Sequence, residues 1–410
     1  MKSSTLKSFS VLYLVGVVSI YALVFWKSAK LVQKGYPDFA IYYCAGTVVR
    51  QGLGHHLYDD TMQFKVEQQF ASDVPLFRGP LPYTHPPFEA LFFVPFSYFP
   101  YPEAYVLWDL LNVMLLAAIP FLLRPHLPHL EGYSPLLWIL ASLAFFPIFF
   151  TLLQGQDAIL LLFLYTLAFV CLKKNQCASA GAWIALGLFK FHLILPFLFL
   201  LLVQKRKRVL YGFVPVAIAL ALLSVALAGT KAIMAYPRFV LHLEDTMAGS
   251  EMVPAGMPSL RGLMYIFFPA GAYVAPVLLL SIGLLLFTGW KCRGVVNADL
   301  FDLKFSLALV CTALVGYHVV SYDLSMLMLP VFLLTNYLLT ENRFRQWPGV
   351  LVVFGITVLF FPPLQLFLSM RYKRFALMGC VLALWVYAIA RELSLRTGSE
   401  VALEGASLSA

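Results

Sequence analysis

The sequence places one carboxylate, Asp38, in an unusual setting directly after the first long apolar run. Asp38 lies in the stretch Gly35–Tyr43, which is rich in aromatic residues. A carboxylate held at the mouth of a cavity can act as a general base and take the proton of a hydroxyl group. Aspartate is also a favoured N-cap residue, and an amphipathic stretch follows. The sequence therefore leaves helix capping open as an alternative.

Three further side chains could offer a positive charge or a hydrogen-bond donor to a developing negative charge. Lys190 lies inside the apolar run Leu188–Phe191. A charge there is costly and so is usually functional or paired, unless the side chain snorkels to the membrane surface. His318 is either such a donor or a hydrogen-bonded core histidine. Arg261 is either a donor or an interfacial anchor.

Polar and aromatic residues concentrate in four short segments between apolar runs. The segments are Gly35–Tyr43, Tyr83–Phe88, Gln154–Asp157 and Gly316–Asp323. Gln156 and Asp157 could also cap the helix that begins at Ala158, and Asp59 is interpreted as closing its own loop. Under the membrane topology given below, all four segments lie on one face. Unrelated connectors would not be expected to meet there, so we predict that they form one site.

The sequence has no signature of a metal or nucleotide site. His55, His56 and His85 do not have the ligand spacing of recurring zinc sites, and neither an Asp-x-Asp motif nor a glycine-rich phosphate loop occurs. The six cysteines show neither a metal spacing nor a disulfide framework. We therefore expect no cofactor and no bound metal.

These segments need helices to position them, and the composition indicates that the helices cross a membrane. Of the 410 residues, 61% are hydrophobic and 12% are charged, against about 25% charged residues in a soluble domain. Apolar runs of about twenty residues, the length that crosses a bilayer, recur along the chain. The net charge of +9 comes from cations in short loops, not from one patch, so we expect no nucleic-acid partner.

We predict an all-α, polytopic membrane protein with about twelve transmembrane helices. The predicted spans are 9–26, 104–123, 135–153, 157–172, 177–189, 191–204, 209–228, 271–290, 304–319, 323–340, 348–363 and 375–391. Residues 1–395 form a single domain with long outer loops at 27–103 and 229–270, and the first loop carries amphipathic helices. The segment 396–410 is expected to be a disordered tail.

Short cationic loops predict the orientation of the spans, because such loops stay in the cytoplasm. Lys173-Lys174 and Lys205–Arg208 both fall on that side only if 177–204 is a bent pair of short helices that turns near Lys190. Both termini are then cytoplasmic, and the four polar segments face outward. The cations of Arg371–Arg374 fall outside in this arrangement and contradict the rule.

Together these elements resemble glycosyltransferase family 87, the polyprenyl-phosphate-mannose-dependent α-mannosyltransferases of the GT-C superfamily. The resemblance covers roughly residues 10–340 in the family's order and spacing. It rests on Asp38-Phe39 with Tyr42-Tyr43, Leu57–Asp59, Tyr83 with Pro86-Pro87, Gly155–Asp157, Gly187 with Lys190 and Pro196, and His318 with Tyr322-Asp323. Two positions depart from the family pattern, which often has asparagine where this chain has Asp157 and an aromatic residue where it has His85.

The resemblance implies a GT-C fold and transfer of a hexose, with mannose expected, from a polyprenyl-phosphate donor to a glycolipid or glycan acceptor. The reaction would take place among membrane lipids, on the extracytoplasmic side of the plasma (inner) membrane. Asp38 would be the general base of an inverting displacement, and Lys190, His318 and Arg261 would bind the donor phosphate. The residues expected to contact the sugar or the acceptor are Tyr42, Tyr83, His85, Gln156, Asp157, Tyr322 and Asp323.

Two other classes of protein remain as alternatives. A secondary transporter or lipid flippase would show internal repeats and broken helices around a midplane site. The chain has one possible break, at 187–196, and no apparent repeat. A non-catalytic scaffold would not require acids and histidines to gather in the outer turns.

Overall fold

The computed structural model describes residues 3–71, 82–246, 253–268, 271–293, 300–341 and 346–408. Within these ranges the regular elements are helices and no strand occurs, which confirms the all-α prediction. The α-helices are α1 (Ser3–Gln33), α2 (Phe39–Arg50), α3 (Asp60–Glu67), α4 (Ala90–Phe93), α5 (Tyr101–Leu123), α6 (Pro128–Glu131), α7 (Pro135–Ala144), α8 (Phe146–Gln154), α9 (Ala158–Lys173), α10 (Cys177–Leu186), α11 (Phe191–Val203), α12 (Leu210–Thr246), α13 (Leu260–Phe267), α14 (Val274–Lys291), α15 (Phe301–Val315), α16 (Met328–Glu341), α17 (Trp347–Leu359), α18 (Pro362–Leu366) and α19 (Met378–Leu408).

The helices confirm a polytopic membrane protein. In the described part of the chain, 7 helical segments are long and apolar enough to cross a membrane, or up to 9 if each of two bent pairs is one span. The bent pairs are α7 with α8, at 72°, and α17 with α18, at 65°. Proline occupies the first turn of both α8 and α18, where it cannot continue a preceding helix. The count of about twelve and the single domain stay predictions. Residues 396–408, which were expected to belong to a disordered tail, continue the helix α19 as far as Leu408.

The chain reverses direction at Lys190. By length and composition, 177–203 counts as one candidate span of 27 residues, but Lys190 has φ −111° and ψ 59°, which is not helical. Lys173, before α10, and Arg206, after α11, both lie over the ring of Phe301, at 5.3 and 4.6 Å from its centroid. The beginning of α10 and the end of α11 therefore lie at the same end of the protein, as the sequence predicts for a bent pair.

Close helix packing supports this reversal. A Cβ added to Gly181 on α10 would lie 1.9 Å from the carbonyl oxygen of Val209, and one added to Gly212 on α12 would lie 1.8 Å from that of Ala178. Small residues of this kind let the backbones of membrane helices approach closely. The start of α12 therefore packs on the start of α10.

We call the end of the protein marked by Lys173 and Arg206 the cationic end, and the opposite end, marked by Lys190, the polar end.

The long loop after α1 contains short helices, as predicted. The buried face of α2 packs through Phe39 against Tyr105, with ring centroids 5.7 Å apart, and through Tyr42 against Phe93, at 4.6 Å. Phe93 in turn contacts Trp108 of α5. This aromatic cluster fixes the beginning of α2, and hence Asp38, against the helical bundle.

Candidate active site at the polar end

Asp38 precedes α2, but its side chain makes no hydrogen bond that caps the helix. Instead, Nε2 of Gln156 donates a hydrogen bond to Oδ2 of Asp38 at 2.7 Å. The backbone N–H of Asp38 donates to Oε1 of Gln154 at 3.2 Å. The half-buried Asp38 carboxylate is therefore held by the turn between α8 and α9, and it does not act as an N-cap.

Gly155 allows that turn to approach α2. Its φ of 62° and ψ of 38° are left-handed, a conformation that glycine adopts without steric cost. A Cβ at this position would lie 2.7 Å from Cβ of Phe39. Trp108 fixes the turn by donating from Nε1 to the carbonyl oxygen of Gly155 at 3.0 Å. The glycine is thus what brings Gln156 within reach of Asp38.

Tyr42 sets the orientation of the Gln156 amide. The Tyr42 hydroxyl donates to Oε1 of Gln156 at 2.6 Å, which leaves the amide NH₂ group facing Asp38. Burial raises the pKa of Tyr42 well above its usual value, so the hydroxyl stays protonated. On its other side, the Tyr42 oxygen lies 3.4 Å from Nε2 of His85. A hydrogen-bonded chain therefore links His85 to Asp38.

His85 also belongs to a buried acidic cluster. Its Nδ1 lies 2.9 Å from Oε2 of Glu89 and 3.8 Å from Oδ2 of Asp157, and both acids are 1% exposed. Burial raises the pKa of Glu89 to about 7, although His85 acts in the opposite direction. Burial lowers the pKa of His85, but Glu89 and Asp157 outweigh this and raise it. The hydroxyl of Tyr83 points into the cluster and donates to Glu89 at 3.2 Å.

Sequence reasoning did not identify Glu89. The available signal was one acidic residue within an apolar run, directly after Pro86-Pro87-Phe88. His192 was also missed, although it closely follows Lys190. Its ring lies 6.4 Å from that of His318.

Lys190 connects two of the predicted segments. Its Nζ lies 2.8 Å from Oδ1 of Asp157 and 2.8 Å from Oδ1 of Asp323, and the residue is 3% exposed. The side chain therefore does not snorkel to the surface. Lys190 also lies over the ring of Tyr322, at 5.2 Å from the centroid. Asp157 makes no side-chain cap bond, so the capping alternative is excluded for this residue.

Arg261 and His318 lie near this network. Arg261 is 1% exposed, its Nη1 donates to the carbonyl oxygen of Tyr317 at 3.4 Å, and its guanidinium lies 4.1 Å above the Tyr317 ring centroid. Burial, followed by the charges of Arg261 and Lys190, lowers the pKa of His318 to about 4. His318 is therefore neutral at pH 7 and can offer an N–H donor but no positive charge.

Among the described residues, one group has the geometry to hold a metal ion. It consists of His85, Glu89 and Asp157, whose ligand atoms all lie within 4.8 Å of one another. His55 and His56 are not part of it. Their rings contact each other at 4.2 Å, and His56 pairs with Asp59 at 3.4 Å.

Asp59 itself caps α3. Its Oδ1 accepts from the backbone N–H groups of Thr61, at 2.9 Å, and Met62, at 3.3 Å. These bonds lower the pKa of Asp59, with the bond from Met62 the largest cause. The structural interpretation of Asp59 is therefore confirmed, and this exposed carboxylate serves as a comparison for Asp38.

The arrangement can support removal of a proton from a hydroxyl group. A half-buried carboxylate is held by a neutral amide, and titratable groups from four distant segments converge behind it. A family model for glycosyltransferase family 87 matches residues 83–321, more than half of the chain. Comparison with curated proteins and with solved structures gives no significant match. The extent of the family match shows that the chain belongs to glycosyltransferase family 87 and is a membrane-embedded glycosyltransferase.

Proposed function

We propose that this enzyme transfers a hexose, with mannose the expected sugar, from polyprenyl phosphate to a hydroxyl group of a glycolipid or glycan. The observation that carries the proposal is the half-buried Asp38 carboxylate, held at 2.7 Å by Gln156 at the polar end. Lys173 and Arg206 lie at the opposite end, and short cationic loops stay in the cytoplasm. We therefore assign the reaction to the extracytoplasmic face of the plasma (inner) membrane, with both termini cytoplasmic.

In the proposed reaction, Asp38 takes the proton of the acceptor hydroxyl as the hydroxyl oxygen attacks the anomeric carbon of the sugar. The bond between that carbon and the phosphate oxygen breaks, and its electron pair leaves with polyprenyl phosphate. One carboxylate suffices, because no covalent sugar–enzyme intermediate forms, and the anomeric configuration inverts. Gln156 holds the carboxylate toward the acceptor through a hydrogen bond of a type worth about 1.5–3 kcal/mol.

The donor phosphate requires donors or cations aimed at its growing negative charge. We assign this contact mainly to Arg261 and to the N–H group of neutral His318. Lys190 has three N–H donors, and the carboxylates of Asp157 and Asp323 each lie 2.8 Å from its Nζ. Since these three groups together carry a negative charge, Lys190 organises the site and contributes little attraction for an anion.

The remaining predicted contacts concern the sugar and the acceptor. Tyr322 lies beside Lys190 and is half-buried, so its ring offers a face for a sugar. The Tyr83 hydroxyl donates a hydrogen bond to Glu89, and the Tyr42 hydroxyl donates one to Gln156. We therefore propose that these two tyrosines shape the site from behind and that Tyr322 contacts the sugar.

The test is release of polyprenyl phosphate from synthetic polyprenyl-phosphate mannose by the purified protein, with a membrane lipid extract as the acceptor mixture. Asp38→Asn should lower the turnover by about 10²- to 10⁴-fold, the usual contribution of a general base. The protein should still accumulate in membranes. Asp59→Asn is the matched control, because Asp59 is a helix cap in the same loop, and it should keep nearly normal turnover. Normal turnover by Asp38→Asn would refute the assignment of the base.

A further inference from the structure

The cluster of His85, Glu89 and Asp157 has an arrangement of ligand atoms that the proposed transfer reaction does not explain. His85 and Glu89 are four residues apart on the turn before α4, whereas Asp157 comes from the turn before α9. Their ligand atoms lie within 4.8 Å of one another. Ligands at about 2.1 Å from a common ion are separated by roughly 3.0–4.2 Å. Sub-ångström movements would therefore suffice to surround an ion.

The orientation of His85 supports the presence of an electrophile in this cluster. Because the Tyr42 hydroxyl gives its proton to Gln156, its oxygen can only accept from Nε2–H of His85. A neutral His85 then turns the lone pair of Nδ1 toward a carboxylate oxygen of Glu89 only 2.9 Å away. Two lone-pair atoms repel at this distance unless a proton or a cation lies between them.

A shared proton does not satisfy the whole cluster. Oε1 of Glu89 and Oδ2 of Asp157 have no hydrogen-bond partner among the described residues, although both side chains are 1% exposed. Oδ1 of Asp157 pairs with Lys190. Buried charges without partners are costly. The ammonium of Lys190 lies on the Oδ1 side of Asp157 and also forms an ion pair with Asp323. The network thus contains three carboxylates, those of Glu89, Asp157 and Asp323, but one lysine, and an added proton still leaves a negative charge.

We propose that His85 Nδ1 and the carboxylates of Glu89 and Asp157 bind one divalent transition-metal ion, for which Mn²⁺ is the probe. A set of one imidazole nitrogen and two carboxylate oxygens suits ions of the Mn²⁺ and Zn²⁺ type. Tyr42 would orient the ligating imidazole through its other nitrogen, as second-shell groups do in metal sites. The His85 side chain is 18% exposed and marks the open side through which an ion enters. This site does not depend on the identity of the donor or acceptor proposed above.

The test uses the full-length protein in detergent, dialysed against EDTA and titrated with MnCl₂, while electron paramagnetic resonance reports free Mn²⁺. We expect one saturable Mn²⁺ per chain below about 1 mM, and a loss of affinity of more than about 100-fold in Glu89→Gln. Asp323→Asn is the matched control. It removes another buried carboxylate that contacts Lys190 but is not a ligand, and should change the affinity by less than about fivefold.

Two results would overturn the proposal. Absence of saturable binding would mean that the cluster holds only a proton, and equal affinity in wild type and Glu89→Gln would mean that Mn²⁺ binds elsewhere. If Glu89→Gln does not fold, His85→Ala replaces it, because His85 is partly exposed. Mn²⁺ should then raise the thermal denaturation midpoint of the wild type but not that of His85→Ala. Neither readout requires transferase activity, so failure of this site is distinguishable from failure of the proposed function.

Discussion

Replacing Gln156 by glutamate would test whether this residue controls the proposed base. Nε2 of Gln156 lies 2.7 Å from Oδ2 of Asp38, and the Tyr42 hydroxyl fixes the opposite end of the amide at 2.6 Å. Gln156→Glu keeps the shape and the bond from Tyr42. It replaces the donor that faces Asp38 with a second carboxylate oxygen, so the variant changes one charge and one hydrogen bond.

The size of the effect follows from this distance. Two carboxylates in contact repel each other when both are ionised, so the second proton of such a pair leaves about 2–3 pH units above the pKa of an isolated carboxyl group. The acid limb of the rate profile should therefore rise by about 2 pH units. At pH 7 we expect a loss of about 10- to 100-fold in turnover, because a hydrogen bond to a charged group is worth about 1.5–3 kcal/mol. Above the shifted acid limb the rate should level off at this reduced value, because the hydrogen bond is absent at every pH.

The assay is the initial rate of polyprenyl phosphate release between pH 5 and 9 for wild type, Gln156→Glu and Gln156→Ala. The alanine variant loses the hydrogen bond without gaining a charge, so its rate should fall and its acid limb should move to higher pH by less than that of Gln156→Glu. An unshifted profile for Gln156→Glu would show that Gln156 does not act on the group that titrates in the reaction. Equal shifts in both variants would indicate a general structural disturbance.

Three further predictions concern the scaffold of the site. Lys190→Met should destabilise the protein by about 3–5 kcal/mol, because it leaves Asp157 and Asp323 buried without their cation. Thermal denaturation in detergent measures this, and an unchanged midpoint would contradict it. Gly155→Ala should cost at least about 1–2 kcal/mol, because φ is 62° and the new Cβ would lie 2.7 Å from Phe39. It should also lower turnover, and normal stability with normal turnover would argue against the role of this turn. His318 has a pKa of about 4 in the folded protein, against 6.5 when exposed. Between these two pH values the unfolded state therefore binds more protons than the folded state. The free energy of unfolding should fall by up to about 3 kcal/mol as the pH drops from 6.5 to 4. His318→Asn should lose this component of the pH dependence, and identical curves for variant and wild type would refute it.

The four polar segments show how far sequence reasoning could reach. Apolar runs and cationic loops constrain which connectors share a face, because the membrane allows few topologies. That constraint led to the turn at Lys190 and to the proximity of Gln156 and Asp38, which are 118 residues apart. The same constraint does not give the number of spans reliably. Helix α15 has 15 residues, fewer than a typical span, and it lies within the buried core.

The residue types around a helix start did not predict which partner each aspartate side chain binds. Asp38, Asp59 and Asp157 all precede helices, and aspartate is favoured at that position, yet only Asp59 makes a cap with its side chain. The other two carboxylates instead find stronger partners in Gln156 and Lys190. The sequence also predicted that Lys190 would be available to bind a phosphate, whereas in the structure Lys190 pairs with Asp157 and Asp323.

The sequence by itself determined the membrane class, the helical fold, the family and the identity of most polar residues at the polar end. These properties follow from composition and from the length and order of apolar runs, which act locally or through the bilayer. Only the tertiary structure decided which charges pair, that Glu89 joins His85 and Asp157, and how the amide of Gln156 is oriented. Such contacts depend on distances of a few ångströms between segments far apart in the chain, and helix packing alone sets those distances.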